Sequence, residues 1–168
     1  MDLHAEYAEL AATVRIVHKA GVWHQRAIHQ LLRLVTLGAQ SAYLDRYVTT
    51  LWHTVYVTDD WEARPIEERY ATLRHELVHV RQFERWGILM ALAYLLLPLP
   101  LGLAWFRMRF EREAYEETLR VWHELGGRDA CQRRRAHIVA QFTSGSYGWM
   151  WPFPRAIERW FDAFVASL

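Results

Sequence analysis

Apolar residues downstream of Pro65 recur on a helical period: Leu73, Leu77, Val80 and Phe83 are spaced four, three and three apart. Pro65 with the acids Glu67 and Glu68 suits a first helical turn, and Trp86-Gly87 supplies a stop. The pattern predicts a helix from about 65 to 86. Further helices are expected from about Trp105 to Leu125, ending at Gly126-Gly127, from about Asp129 to Phe142, and over 155–167. The N-terminal portion reads as two helices, about 3–19 and 24–38, split by Gly21-Val22-Trp23. Residues 49–57 (TTLWHTVYV) have the β-branched and aromatic make-up of a strand and are bounded by Thr58-Asp59-Asp60. The expected fold class is therefore α+β, predominantly helical, with a small sheet.

One stretch departs from amphipathic patterning. Ile88 to Phe106 contains no charged residue. As a single helix it would be about 28 Å long, enough to cross a bilayer core. Pro98-Leu99-Pro100 interrupts it, because proline lacks a donor and bars the preceding residue from the helix. Two arms of roughly ten residues result, each too short to span. The expectation is an apolar hairpin at about 88–106. It packs into the core, lines an apolar cleft, or makes a peripheral membrane contact flanked by Trp86 and Trp105.

Composition narrows the class. A chain of 168 residues has material for one domain, 1–168, with a sizeable core. A net charge of +1, with no basic stripe interleaved with aromatics, argues against nucleic acid as a partner. Arg133-Arg134-Arg135 reads as a solvated helix face. A lone cysteine, Cys131, excludes an internal disulfide. Residues 1–20 stay amphipathic and carry no signal-peptide pattern, which favours a cytoplasmic or membrane-associated protein. His18, His24 and His29 do not share a helix face and read as surface residues.

The chemistry concentrates in His75-Glu76-Leu77-Val78-His79. Two histidines four apart on a helix project from one face, so both imidazoles reach one metal ion. Glu76 sits beside that metal without ligating it, placed to take a proton from water. The spacing is the H-E-x-x-H signature of zinc hydrolases. Chance alone yields such a pentad in a chain of this composition with a probability of roughly 4 %, so the helical context and a third ligand must carry the argument. Downstream, Arg109-Phe110-Glu111-Arg112-Glu113-Ala114-Tyr115 puts several carboxylates on the second helix.

In these two motifs the chain resembles the gluzincin metallopeptidases, whose third zinc ligand is a glutamate from a later helix. Glu111-Arg112-Glu113-Ala114-Tyr115 is similar to the E-x-E-A-D run of the CAAX prenyl protease and HtpX-type branch. The resemblance covers about a third of the chain. It implies a zincin-like fold and a zinc-dependent metalloendopeptidase, with His75, His79 and Glu111 as metal ligands and Glu76 as general base. Glu113, roughly 200° further round the helix, is the alternative ligand. Tyr115 departs from the family aspartate that fixes the first histidine, leaving its own hydroxyl or Glu116 for that task. A donor to the developing oxyanion is sought in Tyr147, then His123 and His137. The resemblance also implies a peptide or protein substrate, held as an extended strand along a sheet edge; the apolar hairpin makes it a hydrophobic one. Three rival readings stand beside this one: a zinc-binding but latent protein, a purely structural zinc, and a metal-free helical membrane-interaction protein.

Overall fold

Asp2 opens the first helix by accepting hydrogen bonds at Oδ1 from the amides of His4 (3.1 Å) and Ala5 (3.3 Å), the usual cap for unpaired N-terminal N–H groups. The computed structural model describes residues 2–23, 30, 47–96, 104–144 and 150–168. The described residues are mostly helical, with one three-stranded sheet. Contacts divide the chain into two compact units, Met1–Glu84 and Arg85–Leu168.

In the first unit, α1 (Leu3–Ala12) is shorter than the helix expected over 3–19. Thr13 ends it, its Oγ1 donating to the Leu10 carbonyl at 2.7 Å. Residues Arg15–His18 then form a strand, β1. The sequence RIVH is β-branched at its centre, and its partner lies about forty residues on, beyond the reach of local periodicity. The single strand expected over 49–57 is a hairpin, β2 (Thr49–Leu51) and β3 (Thr54–Val57). Trp52 makes the break: at φ 53° it holds the left-handed conformation of a tight turn. Strand order is β1-β3-β2, with β1 parallel and β2 antiparallel to β3. Among the described residues β2 is therefore an edge.

Val55, Val57, Trp61 and Leu73 form the buried centre of this unit, covered by Tyr7, Leu10, Ala11 and Ile16. Polar contacts fix α1 on that core. Trp61 Nε1 donates to the Tyr7 hydroxyl at 3.1 Å, and the Tyr70 hydroxyl donates to Glu6 Oε2 at 3.1 Å. Helix α2 (Ile66–Trp86) follows the predicted bounds within a residue, and Gly87 ends it at φ 56°, where a side chain would be strained.

In the second unit, α3 (Ile88–Leu96) stops before Pro98 and packs on α4 (Trp105–Gln132). Residues 97–103, between them in sequence, lie outside the described residues. No helix among those described is long and apolar enough to cross a membrane. The α4 backbone breaks at Gly126-Gly127, as the sequence predicts, with Gly127 at φ 64°, but helix resumes at once. The helix expected over 129–142 is itself split: α4 ends at Gln132 and α5 is Arg135–Thr143. The arginine triplet is not simply solvated. Arg134 stacks over Trp122 with its guanidinium carbon 3.1 Å from the ring centroid, and Arg135 makes a two-pronged bond to Asp162 on α6 (Pro154–Ser167). Leu119, Ile138, Phe142, Met150 and Phe161 form the core. Met150 and the partly buried Trp151 belong to that packing, whereas Phe153 just beyond them is exposed.

Candidate metal centre

One turn of α2 sets the two histidines side by side. Their ring centroids are 5.1 Å apart at an interplanar angle of 75°, an edge-to-face arrangement in which the rings do not stack. His79 is buried and His75 half-buried. Gln82, three residues on, places its Oε1 2.8 Å from His79 Nδ1. A carbonyl oxygen only accepts, so Nδ1 carries the proton and the lone pair sits on Nε2. In that tautomer Nε2 is the nitrogen that can ligate a metal. Sequence alone assigns Gln82 no role, although its i+3 offset from His79 on a predicted helix is a legible signal.

Glu76 is buried at 5 % exposure, between the histidine positions in sequence. Its Oε2 accepts from Thr50 Oγ1 at 2.7 Å, so the edge strand β2 holds the carboxylate in place. Also buried in this unit is Lys19, 1 % exposed, whose Nζ donates to the Tyr47 carbonyl at 2.7 Å. Burial pushes its ammonium from 10.5 down to about 7, against the opposing pull of the Glu76 charge. Neither Thr50 nor Lys19 was singled out from sequence, since no local pattern marks them.

Glu111 lies on α4 in the second unit. It is 2 % exposed, whereas Glu113 is exposed, as positions two apart on a helix require. The Tyr94 hydroxyl on α3 donates a short hydrogen bond to Glu111 Oε1. Tyr94 is clamped in turn: Arg107 Nε donates to its carbonyl at 3.0 Å, and the guanidinium carbon lies 5.2 Å from its ring centroid. Tyr94, too, was not singled out from sequence. Tyr115 is in the unit's core, its ring 5.4 Å from that of Phe142, and Glu116 accepts from Trp160 Nε1 at 2.9 Å.

Within the first unit His75 and His79 present two imidazoles from one helix, and within the second Glu111 is a buried carboxylate. Of the other residues considered, Tyr147 falls outside the described residues. His123 is half-buried on α4, and His137 is exposed on α5 with its Nε2 3.2 Å from Gln141. His18 pairs with Glu62 at the surface (3.2 Å), while His24 and His29 also lie outside the described residues. No family model, no curated protein and no solved structure matches the chain.

Proposed function

We propose that this chain is a zincin-like, zinc-dependent metallopeptidase of gluzincin type, in which His75, His79 and Glu111 hold the ion and Glu76 is the general base. The observation that carries the reading is the pairing of two imidazoles on α2, their ring centroids 5.1 Å apart, with the buried carboxylate of Glu76 on the same helix. Glu111, buried on α4, is the third ligand that the resemblance implies. The donor set fits zinc, which takes nitrogen and carboxylate ligands and in hydrolytic sites keeps a fourth position open. The Gln82 contact at Nδ1 favours the His79 tautomer that would bind through Nε2.

When bound, zinc polarises a water molecule and the substrate carbonyl. The chain's own residues do the rest. Glu76 takes a proton from the attacking water and hands it to the leaving nitrogen. Thr50 keeps the Glu76 carboxylate oriented through its 2.7 Å hydrogen bond. An extended, hydrophobic peptide pairs with the edge of β2, where main-chain hydrogen bonds supply affinity whatever the side chains. Tyr147 is the donor proposed for the oxyanion.

Elemental analysis after zinc loading and desalting tests the assignment. Wild type and Glu113→Ala are expected to retain one zinc per chain, whereas His75→Ala and Glu111→Ala lose it. Metal-free wild type would overturn the proposal; loss in Glu113→Ala with retention in Glu111→Ala would exchange the third ligand. The orienting contact has its own signature. Gln82→Leu is expected to weaken zinc binding by roughly 10–100-fold in a chelator competition, the usual cost of losing a partner that orients a ligand. Unchanged affinity would remove Gln82 from the site.

A further inference from the structure

Helix α3 has two unlike sides. Met90 and Tyr94, four apart, face inward: Met90 is 4 % exposed, and Tyr94 reaches Glu111. Ile88, Leu89 and Leu92 face outward, exposed at 61 %, 62 % and 44 %. Trp86 before the helix, and Trp105 and Phe106 at the start of α4, are exposed as well. An isolated exposed leucine needs no explanation, but a cluster of this kind on one helix and its flanks is a contact surface.

Charge identifies the occupant. Between Arg85 and Phe110 the chain has three basic residues, Arg85, Arg107 and Arg109, and no acidic one. Each guanidinium sits over an aromatic ring of the same region: Arg85 on Trp86 at 5.3 Å, Arg107 on Tyr94 at 5.2 Å and Arg109 on Trp105 at 5.7 Å. Aliphatic side chains bordered by tryptophan and arginine match the layering of a lipid surface, where acyl chains give way to aromatic-friendly headgroups and then phosphate. At nine residues, about 14 Å, α3 is too short to span a bilayer and suits lying in its surface.

We propose that the outward side of α3, with Trp86 and Trp105 at its margins, docks on an anionic phospholipid surface. Ile88, Leu89 and Leu92 enter the boundary between headgroups and acyl chains, and Arg85 and Arg109 meet the lipid phosphates. The inference rests on residues other than the zinc ligands and stands whether or not the chain binds metal.

Co-sedimentation with vesicles tests it, using pure phosphatidylcholine and phosphatidylcholine containing one quarter phosphatidylserine. Wild type is expected to partition onto the anionic vesicles at least about tenfold more than onto the neutral ones, and less so as salt rises. Leu89→Glu, an exposed position that leaves the core intact, is expected to reduce binding to both by about tenfold or more. Arg85→Gln combined with Arg109→Gln is expected to erase the preference for anionic lipid. Circular dichroism on each variant confirms folding, and zinc content is read on the same samples. Failure of wild type to sediment with either vesicle would overturn the proposal, as would wild-type-like binding by Leu89→Glu. So would self-association in lipid-free solution that Leu89→Glu abolishes, since the surface would then belong to a second copy of the chain.

Discussion

Glu76→Gln is expected to keep one zinc per chain and to lower turnover of unfolded casein by roughly 10²–10⁴-fold, the range lost with a general base. The amide is nearly isosteric with the carboxylate, and its oxygen still accepts from Thr50 Oγ1, now 2.7 Å from Glu76 Oε2. Local structure and the metal ligands are therefore expected to survive. What disappears is the capacity to take a proton from water and pass it on. Casein cleavage followed by liberated amines, with elemental analysis of the same samples, reads both quantities. A variant that retains zinc and full turnover would exclude Glu76 as the base. Zinc-loaded wild type with no activity on unfolded substrate would turn the proposed peptidase into a latent zinc protein, and a metal-free chain that does not cleave would return the metal-free alternative.

Lys19→Met is expected to flatten the dependence of stability on pH between about 6 and 9. Burial lowers the folded-state pKa of Lys19 from 10.5 to about 7. Below pH 7 the lysine is protonated in both states, and the folded protein bears the full cost of a buried ammonium. Between pH 7 and 10.5 the unfolded chain binds more protons at this residue, so stability rises with pH. A shift of that size corresponds to about 5 kcal/mol in total, of which about 2–3 kcal/mol falls between pH 6 and 9. Methionine removes the titration while filling similar volume. The cost is the hydrogen bond to the Tyr47 carbonyl, about 1 kcal/mol for the neutral amine. Cys131, whose thiol burial pushes up from 9.0, contributes with the opposite sign near and above pH 9 but equally to both proteins. Urea denaturation of the two proteins at pH 6, 7, 8 and 9 isolates the Lys19 contribution as the difference in slope. Parallel pH profiles would show that Lys19 titrates near its ordinary value.

Helical periodicity made much of this molecule legible. The 4-3-3 spacing of Leu73, Leu77, Val80 and Phe83 located α2, and with it the shared side of His75 and His79. The same geometry separated Glu111 from Glu113, one buried and one exposed. Glycines at 87 and 127 interrupt helices where positive φ is required. Strands were harder. RIVH at 15–18 follows directly on a helix and reads as its continuation until β3 offers a parallel partner. Trp52 gives no sign, by composition, of the left-handed turn that divides residues 49–57.

By itself the sequence determined that α2 is a helix carrying H-E-x-x-H with both imidazoles on one side, because hydrogen bonds four residues apart impose that period wherever the chain winds. Tertiary structure alone decided which groups surround those residues. Thr50 reaches Glu76 across 26 positions, Tyr94 reaches Glu111 across 17, and Lys19 meets the Tyr47 carbonyl across 28. Such pairings arise from burial and from the need of each buried polar group for a partner, and no short window of sequence records them.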